Sequence, residues 1–125
     1  MGKEEIICSS IARSPNPLSQ GIKFGGFVFL SGQLGRNPST GALETGMYDQ
    51  THRALENLKI LLESQGFGMR DVLKTTIYVT DMALTSEMNR AYKEFFSSPF
   101  PARSCVQVAA LATGAEVEIE IIAAK

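Results

Sequence analysis

Two stretches of helical period set among segments of strand period constrain this chain more than any other feature. From Met47 to about Gln65, Thr51, Leu55, Leu58 and Leu62 recur at spacings of three and four, with Ala54 and Leu61 widening the stripe. That pattern predicts a helix with one buried face. A second stripe, Met88, Ala91, Tyr92 and Phe95, predicts another from about Thr85 to Phe96. The remaining ordered segments read as strands: Glu5 to Ser10, Ile22 to Phe24, Phe27 to Gln33, Val72 to Thr80, the stretch after Pro101, and Glu116 to Ile122. Gly25-Gly26 suits a tight hairpin turn, and Gly66 and Gly68 end the first helix. The predicted order is three strands, helix, strand, helix and two strands, an α+β domain with a mixed sheet and helices for one face only.

The other sheet face must find a partner or stay wet. Glu118 and Glu120 on the last strand imply that part of it meets water or a polar site, whereas Phe27 and Phe29 imply that part does not. A homo-oligomer that buries this face and keeps polar pockets in its seams satisfies both. The almost unbroken apolar run from Phe27 to Leu30 further predicts a central strand covered on both faces.

The 125 residues suit one domain, residues 1–125, without repeat or linker. Lys and Arg number 12 against 13 Asp and Glu, with no basic run, so a nucleic-acid partner is not expected. Cys8 and Cys105 lie at opposite ends, with His52 the sole histidine, so no metal site or cofactor is expected and both thiols read as free. His52 shares the polar helix face with Glu56, Lys59 and Glu63 and reads as a solvated residue, not a general base. The first 20 residues lack a signal-peptide run and no stretch reaches transmembrane length, so the expected location is the cytosol, away from membranes.

The chemistry concentrates after Phe100-Pro101, where Arg103 stands at the start of an otherwise apolar strand. A guanidinium entering a half-buried sheet needs a planar anion, from either a protein carboxylate or a ligand. Arg103, Cys105 and Gln107 share one face of that strand by alternation. If the strands flanking Thr113-Gly114 pair as a hairpin, their register can bring these residues onto the face of Glu118 and Glu120. No Ser–His or Cys–His nucleophile pair and no phosphate loop is available. What remains is a carboxylate clamp and a carboxylate able to hold or deprotonate water.

Phe-Pro-Ala-Arg-Ser-Cys at 100–105, Ser31-Gly32-Gln33, Lys74 to Val79 with Asp81, Asn89 followed by Tyr92 and Phe95-Phe96, and Val117-Glu118-Ile119-Glu120 together resemble the reactive intermediate deaminase A family (Rid, or YjgF-type, proteins). The resemblance runs from about Ile7 to Ala124. It implies a chorismate-mutase-like domain assembled as a homotrimer, with sheets facing inward and sites in the clefts between subunits. It also implies hydrolysis of 2-imino acids such as 2-iminobutanoate and 2-iminopropanoate, in exchange with enamines, to 2-keto acids and ammonia. Carried over by position, Arg103 binds the substrate carboxylate, Glu118 and the backbone of Cys105 place the attacking water, and Ser31 and Asn89 line the cleft. The Cys105 side chain is expected to be a core thiol. Where the family usually has Gly-Pro-Tyr, this chain has Asn16-Pro17-Leu18, so Leu18 is expected to border the cleft. Family members are also described as RNA-cleaving translation inhibitors and as chaperone-like proteins. The formal charge of −1 counts against the first, and a non-catalytic ligand-binding trimer has no need of Glu118 and Arg103 together.

Overall fold

A computed structural model describes residues 2–125. Its main elements are β1 (Glu4–Ile6), β2 (Gly21–Phe24), β3 (Phe27–Leu34), α1 (Met47–Ser64), β4 (Val72–Val79), α2 (Thr85–Tyr92), β5 (Ala102–Gln107) and β6 (Val117–Ala124). The strands form one sheet in the order β1-β2-β3-β6-β4-β5. All neighbours are antiparallel except β4 and β5, which run parallel because α2 carries the chain back between them.

The expected sequence of elements is the observed one, and the α1 stripe of Thr51, Ala54, Leu55, Leu58, Leu61 and Leu62 is buried as a block. It packs with Met88 and Tyr92 of α2 over Val28, Leu30, Ile77, Val79, Val117, Ile119 and Ile121. Each fully buried leucine of that set contributes about 1.5–3 kcal/mol. The helix lies close to the sheet's end because Gly35 has no side chain: a Cβ there would overlap the backbone of Gln50. The first strand stops at Ile6, short of the expected Ser10. Buried Gln20 explains the difference, since its Oε1 accepts from the Cys8 N–H at 2.7 Å and its Nε2 donates to the Cys8 carbonyl at 3.3 Å. A side chain there takes over backbone groups that a strand ladder would otherwise pair.

Two expectations are corrected. β5 and β6 are not hairpin partners, because β4 lies between them. Arg103, Cys105 and Gln107 stand in register with Thr75, Ile77 and Val79, whose side chains face the helices. Glu118 and Glu120 stand in register with Tyr78 and Thr76 on the opposite face. The strand from Phe27 is central, as expected, but only one of its faces is covered within the chain. Val28 and Leu30 are buried, whereas Phe27 and Phe29 are 46% and 42% exposed with their rings stacked. Phe24 and Val106 lie on the same open face, which is too apolar to suit water alone. Among the described residues, no helix is long and apolar enough to cross a membrane.

Candidate active site

The sheet positions Glu118 through an irregularity in its neighbour. Between Leu30 and Gln33, two residues of β3, Ser31 and Gly32, stand against one of β6, a β-bulge of the kind that re-aims side chains. Gly32 then leaves room for the Glu118 carboxylate: a Cβ on Gly32 would lie 2.5 Å from Glu118 Oε2. Burial, and then the neighbouring charge of Glu120, push the Glu118 carboxyl above the ordinary glutamate range. Glu120 has a separate partner, since the Tyr78 hydroxyl donates to its Oε1 at 2.8 Å. That bond, together with burial, pushes the Tyr78 phenol up.

Glu118 opens on a cavity of about 490 Å³ whose walls include Ile11, Leu18, Ser31, Gly32 and Leu34. The Ser31 hydroxyl donates to the Ser19 carbonyl at 2.6 Å, which leaves its lone pairs for the cavity. Leu18 is 52% exposed at the rim.

The second group of candidate residues lies at the other side of the sheet. Arg103 is exposed on the edge strand β5. Among the described residues, no carboxylate approaches its guanidinium within 4.0 Å. A structural ion pair, one of the two readings open from sequence, is therefore not made among the described residues. The guanidinium lies 4.9 Å from the ring centroid of Tyr92 on α2. Cys105 is partly buried against the core, and burial pushes its thiol up although Arg103 opposes the shift. Such a thiol is a poor nucleophile at neutral pH. Asn89 sits one turn before Tyr92 on α2, and its buried Oδ1 has no hydrogen-bond partner among the described residues.

The chain thus groups Leu18, Ser31 and Glu118 about one cavity, and carries Asn89, Arg103 and Cys105 elsewhere. Arg103 aligns with Thr75 and Ile121, but Glu118 aligns with Tyr78 and Val106. At strand spacings of about 4.8 Å and rises of about 3.3 Å per residue, the two are roughly 10 Å apart both across and along the sheet, and on opposite faces. One chain does not bring them together. His52 belongs to neither group. It lies on the outer side of α1, 3.8 Å from Glu94 and edge-on to Phe95.

Sequence reasoning missed the parts played by Gly32, by Tyr78 and by Thr75, whose hydroxyl lies 2.9 Å from that of Tyr92. A signal existed for the first, since a glycine inside a strand marks a bulge or a close approach. The other two depend on strand order, which periodicity does not carry.

The family model described as Endoribonuclease L-PSP matches residues 10–125. The chain is similar to a RutC family protein of Pyrococcus horikoshii, 41% identical over 124 residues and covering 98% of each chain. It is also similar to a 2-iminobutanoate/2-iminopropanoate deaminase of Dermatophagoides farinae, 42% identical over 124 residues, with 98% of this chain and 97% of the relative covered. Among solved structures, RidA from an Antarctic Psychrobacter superposes with a TM-score of 0.93 at 36% identity, covering 98% of this chain and 99% of that one. Escherichia coli TdcF with bound serine superposes with a TM-score of 0.92 at 35% identity, covering 98% of both.

Proposed function

The chain belongs to the Endoribonuclease L-PSP family, whose members include Rid proteins, and from that premise we propose that it is a hydrolytic deaminase of 2-imino acids. Its products are the 2-keto acid and ammonia, and 2-iminobutanoate and 2-iminopropanoate are its first candidate substrates. The observation that carries this reading is the exposed Arg103 guanidinium, which has no carboxylate partner among the described residues. It is a planar fork suited to bidentate binding of a substrate carboxylate. Glu118 supports it as a carboxylate whose proton affinity is raised toward working pH.

In this mechanism Arg103 holds the substrate carboxylate, and Glu118 takes a proton from water as the water oxygen bonds to the imine carbon. The C=N π electrons move to nitrogen, which takes that proton from Glu118. Glu118 then carries the hydroxyl proton of the tetrahedral adduct to the amine, so that the C–N bond breaks as the C=O forms and ammonia and the keto acid leave. The backbone of Cys105 helps place the water, and Ser31, Asn89 and Leu18 shape the cleft. Since Arg103 and Glu118 do not meet within one chain, each site takes its arginine from one copy and its glutamate from another. The open face carrying Phe24, Phe27, Phe29 and Val106 supplies apolar surface for such an assembly, and a homotrimer is the form proposed. Sedimentation at micromolar concentration is expected to give three times the 13.6 kDa chain mass. A stable monomer would remove the shared site.

The direct test generates imines from amino acids with an oxidase and follows their loss with and without the protein. No acceleration over spontaneous hydrolysis would overturn the proposal. RNA cleavage is measured beside it. That reading lacks a histidine near either group, since His52 lies on the outer side of α1.

Leu18 is expected to favour imines with larger apolar side chains. Replacing it with tyrosine adds a hydroxyl over the pocket, and a neutral hydrogen bond contributes about 0.5–1.5 kcal/mol. Leu18→Tyr should therefore raise the ratio of kcat/KM for the alanine-derived imine to that for the leucine-derived one by a few-fold. An unchanged ratio would make Leu18 simple loop packing.

A further inference from the structure

An arginine that must meet a carboxylate in one orientation gains from being held there beforehand, because otherwise its side-chain freedom is lost at each binding event. Among the described residues Arg103 has neither an ion pair nor a side-chain hydrogen bond, unlike Arg13, Arg36 and Arg53. What it has is the face of Tyr92, whose ring centroid lies 4.9 Å from its Cζ, within the range at which a cation is attracted to an aromatic ring.

Tyr92 is itself immobilised. It is 4% exposed, its hydroxyl is 2.9 Å from Thr75 Oγ1, and its ring packs on Phe96 with centroids 4.6 Å apart. Thr75 is fully buried on β4 and is the residue that stands in register with Arg103 on β5. One position on β4 therefore governs both ends of the arginine. It sets the backbone through the strand pairing, and it sets the guanidinium through the Thr75–Tyr92 contact.

We infer that Tyr92 is a positioning residue for carboxylate binding: its ring, pinned by Thr75, holds the Arg103 guanidinium ready for a substrate carboxylate. Tyr92 touches no reacting atom and acts through Arg103. The inference rests on the deaminase reading for the identity of the ligand, a 2-imino acid or its 2-keto product.

The test uses the full-length protein as it assembles, with Tyr92→Leu, Tyr92→Phe and Thr75→Val each checked for folding by thermal melting. The first readout is the Arg103 Nε–Hε resonance, assigned by its loss in Arg103→Ala. Ring current should shift it in the wild type and in Tyr92→Phe, and Tyr92→Leu should return it to the range of the other exposed arginines. The second is a pair of constants, KM for imine hydrolysis and Kd for 2-oxobutanoate. Tyr92→Leu should raise both about tenfold with kcat within about twofold, and Tyr92→Phe and Thr75→Val about two- to threefold. A folded Tyr92→Leu with wild-type constants overturns the inference. So does a Tyr92→Phe as impaired as Tyr92→Leu, because the ring face is then not what acts. Should Tyr92→Leu fail to fold, the near-isosteric Thr75→Val decides, and unchanged constants there count against the inference. A wild type that binds 2-oxobutanoate but turns over no imine removes the deaminase reading and leaves the positioning role to be judged on Kd.

Discussion

Arg103→Ala is expected to lower kcat/KM for imine hydrolysis about 100-fold, roughly 3 kcal/mol of lost binding and orientation, while the protein stays folded. The fold should survive because Arg103 is exposed on an edge strand and neutralises no carboxylate among the described residues. Its removal leaves no buried charge stranded. It gives up only the contact with Tyr92, about 0.5–1 kcal/mol at an exposed site. Arg103→Lys should recover part of the activity and not all of it, since an ammonium offers a charge without the planar fork. Steady-state kinetics with melting temperatures on the three proteins decide the matter. Near wild-type turnover in a folded Arg103→Ala protein would return the arginine to a structural role.

The elements of the fold were legible because burial is written in the period. Leu55, Leu58 and Leu62 could lie on one side only of a helix, and Val117, Ile119 and Ile121 only on one side of a strand. Strand order was not legible. A hairpin between the strands flanking Thr113-Gly114 was the local expectation, but α2 returns the chain parallel to β4, and β4 occupies the place beside β6. That insertion moves Arg103 to the helix face and leaves Glu118 on the open one. The two residues with the clearest chemistry were therefore identifiable singly, while their separation was not. The same limit hid Tyr92, which reads as one more core aromatic in the α2 stripe until the register of β5 sets Arg103 over its ring. The exposure of Phe27 and Phe29 belongs to this class too, because an apolar run does not say whether its second cover comes from the chain itself or from a copy.

Glu118→Gln should move activity and stability in opposite directions, and that contrast makes it the sharper test of the base. As the group that takes a proton from water, Glu118 contributes about 10²–10⁴-fold, so the amide should lower kcat by at least about 100-fold with KM changed little. The stability effect follows from the sign of the shift. Burial first and Glu120 second raise the folded-state pKa of Glu118 above its ordinary value of 4.5. Its ionised form is thus less welcome in the folded protein than in the unfolded chain. The resulting destabilisation is absent below the unfolded pKa, grows as pH rises toward the folded pKa, and is complete above it. At neutral pH the glutamine, which carries no charge, should melt higher than the wild type, and this advantage should vanish in acid. The rate of the wild type should fall on the acid side through the raised Glu118 pKa, because only the carboxylate accepts a proton. Glu120→Gln removes the second cause of the shift and keeps an oxygen to accept from Tyr78. The acid limb should then move to lower pH while activity persists. A Glu118→Gln protein that loses activity and stability together would mean that the carboxylate serves the fold, and an acid limb unmoved by Glu120→Gln would mean that the charge of Glu120 does not set it.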